Sequence, residues 1–387
     1  PTGLFQTRDS GKSWQPVTGG LGTQQSGGWR AARWEPASTH KQEPDQSANS
    51  KSNMGGKLTL VGLDGSLGEC LNGVLRRVDL DLRSGTAGVM ALAGSSAFGG
   101  HGLHLVQGEK GWQMGKIPLS PEAGQQCQWN AATEGGKRLL VVGFPGSILL
   151  AGSSSSDLAL VRTGQRAPLH AVSMNDAGIA YCVGELGRVL RSSDGGATWE
   201  IRRGAGQELA ASLFTAGEGG LSWCTMARLG AVDGWRISST RMLPPESGGH
   251  SAHERYHQAV RQAGAAWVES WGDSIPSELD RLGDVDAIHA VFAKNLPILQ
   301  ARLVQDLRTK RPRLVLIPGN RGTGQTGLEQ AASRWVVEAI RLAADPKAFP
   351  EQVQELGLAP WTVSRVVARV VPRPDASARI DSQELLD

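Results

Sequence analysis

The sequence predicts a multidomain chain: an all-β propeller, N-terminally incomplete, followed by an α/β Rossmann-like domain built on a parallel sheet. Three observations predict it: a repeat with a period near 41 residues, two matches to one eight-residue turn motif, and a change of texture after Gly206. The boundaries that follow are 1–206 for the propeller, 207–372 for the α/β domain and 373–387 for a polar tail. A chain of 387 residues is long enough to bury two such cores.

The repeat is V-G-x-x-G-x-apolar. It occurs at Val61-Gly62-Leu63-Asp64-Gly65-Ser66-Leu67, at Val142-Gly143-Phe144-Pro145-Gly146-Ser147-Ile148 and at Val183-Gly184-Glu185-Leu186-Gly187-Arg188-Val189. The last two lie 41 residues apart and the first two 81 apart, with a worn copy between them from Ala93-Gly94 to Gly102-Leu103-His104-Leu105. Each copy reads as strand, two-residue turn, strand, with the second glycine supplying the positive φ of a tight hairpin. Short hairpin strands at a period near 40 are the spacing of propeller blades.

Thr7-Arg8-Asp9-Ser10-Gly11-Lys12-Ser13-Trp14 and Ser192-Ser193-Asp194-Gly195-Gly196-Ala197-Thr198-Trp199 both fit the Asp-box, [ST]-x-D-x-G-x-[ST]-W. In such a turn the carboxylate accepts backbone N–H groups, the glycine takes a conformation closed to other residues, and the tryptophan packs on its blade. Asp9, Gly11, Trp14, Asp194, Gly196 and Trp199 are therefore expected to be structural, with no catalytic residue among them. The boxes are 185 residues apart, four periods plus 21, and the surplus matches a polar stretch from Glu35 to Gly56 that reads as a disordered insertion. The stretch Ala180 to Trp199 resembles a blade of the photosystem II stability/assembly factor family, within the wider group of BNR-type propellers. About five blades are legible and the chain opens inside a motif, so further blades are expected upstream.

After Gly206 apolar runs alternate with helical periodicity. Strands are expected at Glu208–Thr215, Trp235–Met242 and Leu314–Ile317. Helices are expected at Trp223–Leu229, along a stripe from Ala252 to Trp267 (Tyr256, Val260, Ala263, Trp267), and along Phe292, Leu296, Leu299, Leu303 and Leu307, with Pro297 marking a start or kink. Leu328–Ala343 is the last. Strands alternating with helices mean a parallel sheet. Leu307 to Ile317, and Ala343 to Gln352 continuing through Leu358-Ala359-Pro360-Trp361, resemble the LmbE/PIG-L N-acetylglucosaminyl deacetylases. The resemblance implies zinc held by an A-H-P-D-D-[DE] loop after the first strand and by a later histidine. Here those loops read Ala216-Gly217-Glu218-Gly219-Gly220 and Gly319-Asn320-Arg321-Gly322-Thr323-Gly324, without histidine or aspartate. A hydrolytic zinc site needs about three protein ligands, and only Glu218 is offered, so the expectation is a degenerate relative with no metal and no cofactor.

Other motifs invite chemistry. His253-Glu254-Arg255-Tyr256-His257 satisfies HExxH, which places two imidazoles on one helical face. Its third ligand is undetermined, with Glu269 and Glu278 as candidates, and a chance match at a helix start is the plainer reading. Gly322 to Gly327 matches GxGxxG, but the acidic residue expected after the next strand has no counterpart (Asp345 lies at a helix end), so a glycine-rich βα loop is expected. The basic run Arg308 to Arg313 reads as a solvated helix C-terminus. Cys70, Cys127, Cys182 and Cys224 form no CxxC and read as small buried hydrophobes.

A formal charge of +3 gives no argument for a nucleic-acid partner, and no apolar run approaches the length of a membrane span. The function expected is that of a non-catalytic interaction or scaffold protein, its propeller offering a face to a protein or glycan partner. The alternative is an enzyme, either a zinc-dependent hydrolase of the N-acetylglucosaminyl deacetylase type or a hydrolase using the HExxH histidines, and a third option is anion or nucleotide binding at Gly319 to Gly327.

Overall fold

The computed structural model describes residues 5–7, 12–13, 15–16, 29–36, 56–71, 74–80, 88–154, 156–206, 208–217, 222–242, 249–271, 279, 282–318 and 326–368, with residues 5–6, 15–16, 36, 148 and 249–253 described by backbone alone. The chain divides into two units, Pro1–Arg203 and Gly204–Asp387.

The first unit opens with a short hairpin of β1 (Phe5–Gln6) and β2 (Gln15–Pro16). Four four-stranded antiparallel sheets follow, each a meander of consecutive strands. The first sheet holds β3 (Trp29–Pro36), β4 (Gly56–Gly62), β5 (Leu67–Leu71) and β6 (Val74–Val78). The second holds β7 (Val89–Ala93), β8 (Ser96–Gly99), β9 (His104–Gly108) and β10 (Gly111–Met114). After a short helix, α1 (Pro121–Gln125), the third holds β11 (Gln128–Gly135), β12 (Arg138–Phe144), β13 (Ile148–Gly152) and β14 (Ala159–Arg162). The fourth holds β15 (Leu169–Met174), β16 (Ala180–Gly184), β17 (Arg188–Ser192) and β18 (Glu200–Arg203). The opening strands β3, β7, β11 and β15 of successive sheets lie against one another, an arrangement compatible with a propeller.

The glycine repeat has a physical cause in this arrangement. Its turn joins the second strand to the third in every sheet. A Cβ on Gly99, Gly143 or Gly184 would sit 2.3, 1.8 or 2.2 Å from the carbonyl oxygens of Gly88, Gln128 and Pro168, which lead into the opening strands. The repeat therefore records a close backbone approach. In the second sheet the true copy is Phe98-Gly99-Gly100-His101-Gly102, not the stretch beginning at Ala93-Gly94, which lies in the preceding turn. Gly65, Gly102 and Gly187 take positive φ as the hairpin reading requires. Gly146 does not; it is needed because a Cβ there would meet Ala167 O at 1.8 Å.

Residues Val61 and Leu67 of the first sheet bury against Val89, Ala97, Leu103 and Leu105 of the second. Leu140, Val142, Leu149 and Ala151 of the third bury against Leu169, Met174, Cys182 and Leu190 of the fourth. At roughly 25 cal/mol per Å² of apolar area, such packing supplies most of the stabilisation between sheets. Pro36 pairs with Gly56 across the first hairpin. The insertion is thus confined to residues 37–55, which lie outside the described residues.

The second unit is built on a five-stranded parallel sheet in the order β21-β20-β19-β22-β23. Its strands are β19 (Ala211–Thr215), β20 (Ile237–Arg241), β21 (Ala265–Ser270), β22 (Leu314–Ile317) and β23 (Arg365–Ala368). One face carries α2 (Trp223–Ala227) and α3 (Gly249–Gln262) over Leu213, Ile237 and Val268. The other carries α4 (Val285–Phe292), α5 (Leu296–Lys310) and α6 (Gly327–Ala344) over Phe214 and Val315, and the short helix α7 (Pro350–Gln354) follows α6.

Two helical expectations are corrected here. The stripe ending at Trp267 is cut at Gln262, because Gly264 adopts φ +106° with its Cα against Gly230 and Ala231, and Trp267 belongs to β21. The stripe from Phe292 to Leu307 is two helices, with Pro297 in the first turn of the second. The basic run is not a solvated terminus either: Arg308 and Lys310 are buried. Arg308 donates to the carbonyls of Asp345 (2.7 Å), Ala348 (2.9 Å), Ala343 (3.3 Å) and Phe349 (3.3 Å) and to Gln352 Oε1 (3.1 Å). It thereby satisfies orphan C-terminal carbonyls of α6 and ties the end of α5 to the segment that follows α6. Cys70, Cys127 and Cys182 are buried, whereas Cys224 on α2 is exposed, against expectation.

Candidate functional site

In the first unit, the motif at Ser192–Trp199 forms the turn between β17 and β18, and hydrogen bonds surround its aspartate. Asp194 Oδ1 accepts from the N–H groups of Ala197 (3.0 Å) and Thr198 (2.9 Å) and from Ser192 Oγ (2.7 Å), while Oδ2 accepts from Thr198 Oγ1 (2.6 Å). The Thr198 hydroxyl and N–H, with Ser192, hold this carboxyl far below the usual carboxylate range although it is solvent-exposed. Trp199 Nε1 donates to Gly196 O at 3.0 Å. Gly196 has φ +89°, and a Cβ there would meet Leu140 Cδ2 of the third sheet at 2.4 Å. Arg138, also of the third sheet, donates to the carbonyls of Asp194 (3.2 Å) and Gly195 (2.9 Å). Asp9, Gly11 and Trp14 lie outside the described residues, between the paired β1 and β2.

A second fourfold signature passed unseen in the sequence. Trp29-Arg30-Ala31, Val89-Met90-Ala91, Trp129-Asn130-Ala131 and Leu169-His170-Ala171 share the pattern apolar-x-Ala, and at each the opening strand shifts register. Bulges of this kind re-aim a side chain. Asn130 Nδ2 reaches across to Leu169 O (2.9 Å), and His170 Nε2 meets Glu185 Oε2 (2.8 Å). The pattern was legible as a repeat, but only the pairing shows why the middle residue varies.

In the second unit the strand order reverses between β19 and β22, and open parallel sheets place ligands outside the strand C-termini at such a point. The C-terminal end of β19 presents the N–H groups of Ala216 and Gly217. Both donate to Glu329 in the first turn of α6, Ala216 to Oε2 at 3.1 Å and Gly217 to Oε1 at 3.0 Å. Thr326, the N-cap of α6, accepts the Glu329 N–H at 3.2 Å. Glu218 and residues 319–325, which include most of the glycine motif, lie outside the described residues. Gly327 begins α6, where a Cβ would meet Gly283 O at 2.6 Å, and Asp345 caps its C-terminus.

The HExxH segment lies on α3. Glu254 is exposed and His257 half-buried, while the His253 side chain and Glu278 lie outside the described residues. Glu269 is not available as their third ligand, because it faces the opposite side of the sheet from α3 and pairs there with Lys310 at 3.5 Å. Among the described residues, no three His, Cys, Asp or Glu side chains group as a metal site.

Lys310 is the centre of a buried charged cluster that sequence reasoning missed. Its ammonium contacts Asp306 Oδ1 (2.6 Å) and Thr240 Oγ1 (2.8 Å) and lies 5.0 Å from the Trp267 ring centroid. Glu269 also accepts from Trp271 Nε1 (3.1 Å). Burial pushes the Asp306 carboxyl up to about 7, against the pull of Lys310. Burial also opposes the charge on Lys310, but Asp306 and Glu269 outweigh it and raise the ammonium above its ordinary value. Asp306 Oδ2 is buried without a hydrogen-bond partner.

Among the described residues no helix is long and apolar enough to cross a membrane. No family model matches the chain, and no curated protein sequence does. Solved structures that resemble parts of it include the conserved protein TT1542 from Thermus thermophilus, 24% identical over 43% of this chain and 69% of that one, with a TM-score of 0.32. YCF48 bound to a D1 peptide is 14% identical over 51% of this chain and 59% of that one, with a TM-score of 0.34. The N,N'-diacetylchitobiose deacetylase from Pyrococcus horikoshii is 14% identical over 40% and 58%, with a TM-score of 0.28. The chain spans less than two thirds of the YCF48 and deacetylase chains, so its structural neighbours include a YCF48 and a deacetylase through partial likenesses alone.

Proposed function

We propose that this chain is a non-catalytic interaction protein: an Asp-box propeller unit that offers a face to a protein or glycan partner, followed by a degenerate LmbE/PIG-L-like unit without deacetylase activity. The observation that carries the non-catalytic half is the carboxylate of Glu329 bound by the Ala216 and Gly217 N–H groups. At the point of the sheet where a related enzyme would keep its chemistry, this acidic side chain ties β19 to α6. A carboxylate held this way neither ligates a metal freely nor serves as a general base without breaking the tie.

Support for the propeller half comes from the side-by-side opening strands and from the turn that surrounds Asp194. In this reading Asp194, Gly196 and Trp199 are structural: the first closes the turn, the second admits Leu140, and the third locks the hairpin. Partner contact then falls to the sheet rims, and the pattern of bulged residues is where a search for it begins.

The full chain, supplied with zinc and N-acetylglucosamine conjugates, is expected to release no acetate above the buffer rate. Acetate release that disappears in a His253→Ala/His257→Ala double variant would replace this reading with the zinc-hydrolase one.

A further inference from the structure

Two adjacent backbone N–H groups converging on one carboxylate make an anion-binding concavity. At the β19 end the Ala216 N–H donates to Glu329 Oε2 at 3.1 Å and the Gly217 N–H to Oε1 at 3.0 Å. Ala216 is 1% exposed and Glu329 7% exposed, so the Ala216 hydrogen bond is made away from bulk water, where it is strong, while that of Gly217 is partly buried. The carboxylate also lies in the first turn of α6, an 18-residue helix, where its dipole favours negative charge. Two donors able to recognise an anionic group lie at the sheet's switch point, and the chain's own side chain takes both.

We propose that Glu329 is an internal plug in a compact oxyanion site formed by the Ala216 and Gly217 N–H groups, a site of the size and charge of a carboxylate. The site keeps its donors paired in the resting chain, and it opens to an external carboxylate when the Glu329 side chain is removed. The significance of the plug rests on reading this unit as a degenerate enzyme. Its test involves no hydrolysis, however, so the two can fail separately.

The test is thermal unfolding of the full chain in sodium acetate and sodium formate against sodium chloride at equal ionic strength. Wild-type chain is expected to melt at the same temperature in all three. The Glu329→Ala variant is expected to melt lower in chloride and to regain about 2–4 °C in acetate or formate, as a weakly bound ligand specific to the folded state would give. Glu329→Gln, which keeps the volume and one acceptor oxygen, is expected to show no anion-specific gain. Where the alanine variant does not fold in chloride, recovery of its folded signal on refolding in acetate is the same readout. An alanine variant indifferent to the anion, or a wild type that responds as strongly as the variant, overturns the proposal.

Discussion

Asp194 and Asp306 hold the same functional group under opposite conditions. Asp194 sits on an exposed turn yet accepts from four donors, two of them backbone N–H groups, and its carboxyl is held far below the ordinary range. Asp306 is buried in α5, meets one ammonium, leaves Oδ2 without a partner, and is pushed up to about 7. Exposure alone would predict the reverse strength of attachment. The number and geometry of donors decides whether a carboxylate is comfortable, and burial decides how much the answer matters.

Removing the counter-ion of the buried member should produce the largest effect. Lys310→Met leaves Asp306 and Glu269 facing one another without their shared ammonium and is expected to destabilise the second unit by about 3–5 kcal/mol, measured by chemical denaturation. A loss under 1 kcal/mol would mean that solvent already screens the pair. Next comes the glycine that the exposed turn requires. Gly196→Val combines a positive φ with a Cβ 2.4 Å from Leu140, and a loss of about 2–3 kcal/mol in the first unit is expected.

The pH dependence of the two aspartates should run in opposite directions. Asp306 ionises at about 7 when folded and near 3.9 when unfolded, so the folded chain holds an extra proton between these values. Its contribution is complete below the unfolded value and is lost as pH rises through the folded one, with a slope of at most about 1.4 kcal/mol per pH unit. Asp306→Asn should flatten that slope in the second unit. Asp194 has a depressed folded value, so its contribution is present above about pH 4 and is lost as pH falls. Asp194→Ala should remove that acid-side loss and cost about 1 kcal/mol at neutral pH, the smallest effect of the set, as for a lost helix cap. Melting curves of the full chain between pH 2 and 8 check both signs, that of Asp306 on the neutral side and that of Asp194 below pH 4.

The legibility of these features follows from how local their causes are. The V-G-x-x-G turns and the Leu314–Ile317 strand could be read because a glycine against a carbonyl, or a short apolar run, leaves its mark within a few residues. The helix at Leu328–Ala343 was likewise legible from its period, one residue short at each end. Arg308 could not be placed, since the carbonyls that bury it come from residues 34 to 41 positions later. β21 was hidden because Ala265 to Val268 continues the apolar stripe of α3, and only Gly264 marks the break. Glu329 was visible as part of a helix start, but its pairing with Ala216 spans 113 residues and no periodicity announces it. The candidate site was therefore less legible than the fold: its defining contact is non-local, while the motifs that looked chemical, HExxH and GxGxxG, are local patterns.

Zinc content of the purified full chain tests the non-catalytic reading most directly. The account predicts no stoichiometric metal after exposure to zinc and desalting, in wild type and in the His253→Ala/His257→Ala variant alike. One zinc per chain in the wild type that is absent from the variant would contradict it.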